Sequence, residues 1–360
     1  MLFFTYNLKN NQFVFKSMRK LNKKTIKINF KYFWETFNPE NNFFTNLLRR
    51  NYTVIISDNP DYLFYSVFPE IKETNDLSKK GDFIKKISPH LYIFLRKIYS
   101  KLKSIFKPNK IIAPTGKFIK IFCGAEHTKP NMDECDWAFS PHFEENVNHP
   151  KHMRIPAYML SDYMLKDFGS PRLKRKIDFK KIKREKNKFC NFIYSQDVLK
   201  RNEFFKILSK YKKIDSPGRC MNNMPPIGSY TDSKKSRLSV SWVNEKLNFL
   251  KPYKFTIAFE NYSKPGWVTE KLTQPMLVDS IPIYFGHPEV KRDFNTKSFI
   301  NYRDFNDMKK FIEHIIKVDN DDRLYKQYLE QPKYPNKEAY EFSRTERIER
   351  RLNEIIESKR

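Results

Sequence analysis

Apolar runs of strand length alternate with amphipathic runs of helix length, twice over, and that rhythm confines the chain to α/β architectures. In the first half Ile26-Lys-Ile-Asn-Phe alternates as a strand, and Asn42-Phe-Phe-Thr-Asn-Leu-Leu-Arg-Arg has helical spacing. Tyr52-Thr-Val-Ile-Ile, Tyr62-Leu-Phe-Tyr-Ser-Val-Phe and Lys117-Phe-Ile-Lys-Ile-Phe-Cys-Gly are further strands, the last running into Ala125-Glu-His-Thr-Lys-Pro. The rhythm restarts at Lys188-Phe-Cys-Asn-Phe-Ile-Tyr-Ser, followed by a helix from Leu199 and another around Trp242 to Leu250. It closes with the strand Lys254-Phe-Thr-Ile-Ala-Phe, a helix reaching about Val278 and the strand Ile281-Pro-Ile-Tyr-Phe-Gly. Two such series predict two α/β units, with ligands in the cleft at the strands' carboxyl ends.

The 360 residues divide accordingly. Residues 1–25 read as a weakly ordered extension, 26–170 as the first α/β unit and 171–187 as a basic linker. Residues 188–335 read as the second unit and 336–360 as a charged C-terminal helix. Only 8 glycines are present, which argues against a glycine-rich phosphate loop. The 33 Phe and 20 Tyr are enough to build sizeable cores, which rules out global disorder.

A net charge of +28 calls for an anionic partner, and its distribution narrows the choice. Residues 79–110 carry +9 and residues 172–188 carry +8, so 49 residues hold +17 of the total. Within the first run Leu91, Phe94, Leu95, Ile98, Tyr99, Leu102, Ile105 and Phe106 fall on one helical stripe, with Arg96, Lys97, Lys101, Lys103 and Lys107 around it. Such a helix either docks on a core with a solvated basic back or lies on an anionic membrane. No nucleic-acid motif accompanies the charge, so nucleic acid is not an expected partner.

Cysteines at 123, 135, 190 and 220 have neither metal-ligand spacing nor companion histidines, and are expected as reduced thiols. The N-terminus lacks the pattern of a signal peptide, and no stretch is long and apolar enough to span a bilayer. A cytoplasmic protein is expected, with the basic helix as a candidate for peripheral contact at the inner membrane face.

Candidate chemistry lies at strand ends and helix starts. In Lys264-Pro-Gly-Trp-Val-Thr-Glu-Lys, Thr269 can cap a helix whose first turn carries Glu270 and Lys271. A lysine beside exposed amides suits a diphosphate, and a neighbouring carboxylate suits ribose hydroxyls. On spacing alone the same residues also suit an ordinary surface helix. Phe259-Glu-Asn ends an apolar strand, where polar groups face a ligand crevice or simply close a turn. Arg201 could reach a phosphate from the next helix, or be solvated. Glu126, past Phe122-Cys-Gly-Ala, could take a proton from a hydroxyl, or be a plain loop glutamate.

Together these residues resemble the α1,3/4-fucosyltransferase family, closest to its bacterial cytoplasmic members. The resemblance is carried by Phe255-Thr-Ile-Ala-Phe-Glu-Asn-Tyr-Ser-Lys-Pro-Gly-Trp-Val-Thr-Glu-Lys-Leu and continues through Asp293-Phe-Asn-Thr-Lys-Ser-Phe-Ile-Asn-Tyr. Lys188-Phe-Cys-Asn-Phe-Ile-Tyr-Ser, Asp215-Ser-Pro-Gly-Arg and Ser57-Asp-Asn-Pro-Asp-Tyr add to it. It implies a GT-B-like fold, two Rossmann-type domains facing across a cleft, and an inverting transferase. That enzyme would move L-fucose from GDP-fucose to a GlcNAc hydroxyl, α1,3 by preference, of an N-acetyllactosamine-type or lipopolysaccharide glycan, lipid-linked acceptors included.

By the same resemblance Lys271 and Arg201 contact the diphosphate and Glu270 the ribose. Asn261, Trp267, Val268 and Ser195 complete the donor site, and Glu126 is the base. No obligatory cofactor and no metal site are implied, a divalent cation being at most a stimulant. Asp319-Asn-Asp321, the Asp-x-Asp of the chain, reads as a solvated turn. This sequence departs from the family at Cys123-Gly-Ala before the base, at His127 after it, and at Trp267, where Tyr is usual. The rival readings are a GT-B transferase of another nucleotide sugar and a basic membrane- or nucleic-acid-binding protein.

Overall fold

The computed structural model describes residues 4–7, 12–15, 23–68, 113–124, 126–162, 176–228 and 240–358. The basic helix expected between residues 90 and 107 lies outside them. Part of the extension is strand: β1 (Phe4–Asn7) and β2 (Gln12–Phe15) pair antiparallel.

The first unit runs β3 (Thr25–Lys31), α1 (Phe43–Asn51), β4 (Thr53–Ile56), β5 (Tyr62–Tyr65), β6 (Ile119–Cys123), β7 (Trp137–Ser140), α2 (Glu144–Val147), β8 (His152–Arg154) and α3 (Ala157–Asp162). Its six strands form one parallel sheet in the order β4-β3-β5-β6-β7-β8. Asn42 starts α1 by accepting hydrogen bonds from the amides of Phe44 and Thr45. All four residues of β5 are buried, which is why a central parallel strand reads as an unbroken apolar run.

The connector contains α4 (Phe179–Glu185), capped by Asp178. The second unit runs β9 (Lys188–Asn191), α5 (Leu199–Leu208), β10 (Ile214–Asp215), α6 (Val240–Leu250), β11 (Tyr253–Phe259), α7 (Glu270–Leu277), β12 (Ile281–Phe285) and β13 (Ile300–Asn301). These five strands are also parallel, in the order β10-β9-β11-β12-β13. Four helices follow: α8 (Met308–Asn320), α9 (Asp322–Glu330), α10 (Lys337–Phe342) and α11 (Glu346–Glu357).

The expected single charged C-terminal helix is therefore two helices, and α11 is docked rather than solvated. Its Ile348, Leu352, Ile355 and Ile356 are buried in the core of the first unit. Glu349 pairs with Arg50 at 3.0 Å, and the Tyr62 hydroxyl donates to the Ile356 carbonyl at 2.8 Å. The chain thus crosses back to its beginning.

The floor of the cleft is a shared core. Ala258, Val268, Leu272, Met276 and Phe294 of the second unit belong to the same apolar cluster as Ile28, Phe64 and Phe139 of the first. A buried ion pair adds direction: Arg154, at the end of β8, donates twice to Asp293 at 2.7 Å, and both side chains are 3% exposed. Its Nε donates to Pro141 O at 3.1 Å, so the guanidinium is well satisfied. Asp293→Asn should cost about 3–5 kcal/mol, the usual effect of stripping one partner from a buried pair. Urea unfolding checks this, with Arg344→Ala at the exposed pair to Glu346 as a near-neutral control.

Candidate active site

Polar residues gather where β9 and β11 end, at the point where the strand order of the second sheet reverses. Glu260 follows β11 directly and is 3% exposed. It accepts from the Thr269 amide at 2.8 Å and from the Thr269 hydroxyl at 2.8 and 3.0 Å. Thr269 in turn caps α7, accepting from the Lys271 amide at 3.3 Å. The end of one element thereby fixes the start of the next.

Lys271 sits among these groups. Its Nζ is 3.1 Å from Thr269 Oγ1, 3.5 Å from Glu260 and 3.7 Å from Glu270. Burial opposes its charge, but Glu270 and Glu260 outweigh that and raise its pKa. Burial likewise works against the charge on Glu270, yet Lys271 and Lys246 bring its carboxyl down to about 2. Burial pushes Glu260 up, against the pull of Lys271.

Arg201 enters from the first turn of α5 and is completely buried. Its partners are neutral: Gln196 O at 2.6 Å, Asn261 Oδ1 at 3.1 Å, Phe259 O at 3.3 Å and the face of Tyr194 at 3.7 Å. The Tyr194 hydroxyl donates to Ile257 O at 2.7 Å and accepts from the Phe259 amide at 2.8 Å, fastening β9's end to β11. Two buried donors, Arg201 Nε and Trp267 Nε1, have no partner among the described residues. Buried donors are rarely left so, and an oxygen-rich ligand would satisfy them.

The first unit supplies the opposite wall. Gly124 follows β6, its amide donating to Phe139 O at 2.7 Å, and Glu126 lies two residues on, partly buried. Burial pushes the Glu126 carboxyl above the usual glutamate range, while Lys271, across the cleft, pulls it down. His127 Nε2 reaches Pro265 O at 2.8 Å, and its ring lies 4.2 Å from His142 and edge-on to Trp267 at 6.0 Å.

The structure therefore brings Glu126, Arg201, Asn261, Trp267, Glu270 and Lys271 to one place, with Ser195 partly exposed just beyond β9. Val268 differs from expectation: it is fully buried in the shared core, and its carbonyl accepts from the Tyr158 amide at 3.0 Å. Asp319 also differs, being no solvated turn but a buried partner of Lys254 and Lys212, while Asp321 caps α9. Tyr194, His287 and Arg154 were not legible as site residues. Glu260 was visible as a strand-end carboxylate but not as the holder of a helix cap.

The family described as glycosyltransferase family 10 (fucosyltransferase) C-term matches residues 183–355, and the alpha-(1,3)-fucosyltransferase FucT N-terminal domain matches residues 28–77. The chain belongs to the family 10 fucosyltransferases. It is 37% identical over 129 residues to alpha-(1,3)-fucosyltransferase B of Drosophila melanogaster, covering 36% of this chain and 28% of that protein. It is 28% identical over 223 residues to alpha-(1,3)-fucosyltransferase FucT of Helicobacter pylori, covering 54% of this chain and 43% of that one. The family 10 chain thus spans less than half the length of these curated relatives. A crystal structure of an alpha1,3-fucosyltransferase with GDP-fucose superposes with a TM-score of 0.63 at 20% identity, over 96% of this chain and 94% of that one, a likeness of fold.

Burial holds His142 and His152 at about 4 and His287 at about 3, below an unfolded value of 6.5. The unfolded chain therefore binds more protons as pH falls below about 6.5, and stability declines there, by about 1 kcal/mol or more per ring. The Tm should fall between about pH 6.5 and 5; a flat Tm over that window would contradict the assignment.

Proposed function

We propose that this family 10 chain transfers L-fucose from GDP-fucose to a sugar hydroxyl with inversion at the anomeric carbon. The observation that supports this reading most directly is the opposition of Glu126 and Lys271. A carboxyl raised by burial faces a cationic helix start at the strand ends. Such a carboxyl is a stronger base than an exposed glutamate.

In this reaction the acceptor oxygen forms a bond to the fucose anomeric carbon as its proton passes to Glu126. The bond from that carbon to the phosphate oxygen breaks, and GDP leaves with the electron pair. Charge grows on the β-phosphate, where Lys271, the amides that open α7 and the positive field of buried Arg201 stabilise it. Glu270, held ionised, accepts from ribose hydroxyls. Asn261, Trp267 and Ser195 line the donor site. No obligatory cofactor enters; a divalent cation is at most a stimulant.

The acceptor is proposed as GlcNAc in an N-acetyllactosamine-type unit, on lipopolysaccharide or another lipid-linked glycan, with α1,3 linkage. Among the described residues no helix is long and apolar enough to cross a membrane. The basic run 79–110 supplies the proposed peripheral contact with anionic membrane at the cytoplasmic face.

Incubation with GDP-fucose and a panel of lactosamine, lipid-linked and peptide acceptors, with linkage read by NMR, tests the reading; absence of both transfer and GDP-fucose binding would end it. Glu126→Gln should lower kcat by about a hundredfold or more while sparing donor affinity. Lys271→Ala should abolish donor binding measured by calorimetry. The acid limb of kcat/KM should lie above the ordinary glutamate range, because activity is lost as Glu126 gains its proton.

A further inference from the structure

We infer that His127 is a positioning residue for Glu126, holding the base at a fixed place across the cleft. The inference rests on the reaction proposed above and adds to it the means by which the first unit's base finds the second unit's donor loop.

A carbonyl oxygen can only accept, so the 2.8 Å contact to Pro265 O requires the proton of His127 to be on Nε2. The far end of this bond is held by close contacts on both sides. Gly266, next in sequence, has φ of +80°, and a Cβ built there would stand 2.1 Å from Pro141 O. Its amide donates to His287 Nδ1 at 3.2 Å, and its carbonyl accepts from Arg154 Nη2 at 3.4 Å. Donor loop and first unit are thus in register at this one peptide.

The near end is equally confined. His127 packs on His142, which burial and then His127 itself keep neutral down to about pH 4. His142 is in turn hydrogen-bonded at Ser140 Oγ through its amide. The Glu126 carbonyl accepts from the Thr128 amide at 2.7 Å, which folds the three residues into a tight turn. Glu126 therefore hangs between Gly124, fixed to β7, and His127, fixed to the donor loop. Among the described residues Lys271 of α7 is the charge that acts on Glu126, and the groups that act on the neighbouring His142 are His127, His152, Lys129 and Lys264.

A base displaced by about 1 Å can lose a hundredfold in rate. His127→Ala should accordingly lower kcat about tenfold to a hundredfold while leaving GDP affinity within about twofold. The acid limb of kcat/KM should move toward the ordinary glutamate value, since a loosened Glu126 regains water and burial is the larger influence on it. His127→Gln, which carries an N–H at similar reach, should recover most of the rate.

A double-mutant cycle decides the matter. His127→Ala should cost nothing further in a Glu126→Gln background. Additive losses, an unmoved acid limb, or a parallel loss of GDP affinity would each overturn the proposal. Unimpaired transfer by Glu126→Gln alone would instead remove the base assignment, so the two failures are distinguishable.

Discussion

The buried pair of Arg154 and Asp293 sets the relation between the two halves. Burying both charges is costly, and the geometry offsets that cost only by satisfying the guanidinium almost completely. Its two Nη atoms hold the carboxylate, Nε holds Pro141, and the rings of Phe143 and Phe342 lie 4.2 and 5.2 Å from its centre. The Arg154 carbonyl accepts from Arg347 of α11 at 2.7 Å. One side chain and its own backbone thus touch the loop after β7, the Gly266 loop and the returning C-terminal helix. The cleft has a rigid floor because all three converge there.

From that floor the active groups are placed by strand ends. β6 delivers Glu126 and β11 delivers Glu260, each at the carboxyl edge of a parallel sheet. Glu260 then does through hydrogen bonds what sequence spacing cannot do: it ties residue 260 to the helix cap at 269. Lys271 is consequently not a free cation on a solvated helix. It is aimed by one carboxylate and flanked by another, so its direction is set before any ligand arrives.

Much of this was legible in the chain, and the reason is local. β3, β5, β9, β11 and β12 are apolar runs with clear ends, and Thr269, Glu270 and Lys271 carry a cap signature. β7 and β8 passed unnoticed because they are four and three residues long and include Ser140, His152 and Arg154. Those residues look like loop until their partners are known, and Asp293 is 139 positions away from Arg154. The amphipathic pattern of α11 announces a helix with one apolar face, but nothing local says that the face meets residues near the start of the chain. Arg201 is the sharpest case. As a lone helical arginine it suggests solvent, whereas its aromatic and carbonyl partners come from β11 and the loops after β9 and β11.

Among the described residues the candidate site is not simply cationic. Arg201 and Lys271 stand among the carboxylates Glu126, Glu260 and Glu270, with Lys246 acting on Glu270 as well. Such a cluster responds strongly to an arriving diphosphate. Lys271 depresses Glu126 in the free protein. Under the proposed reaction, phosphate oxygens at Lys271 would screen that effect and raise Glu126 further, as any anion raises a nearby carboxyl. The base would then gain strength when the donor is in place, and stay weaker when only water is available to attack. A site balanced between opposite charges is more sensitive to its substrate than one built from cations alone.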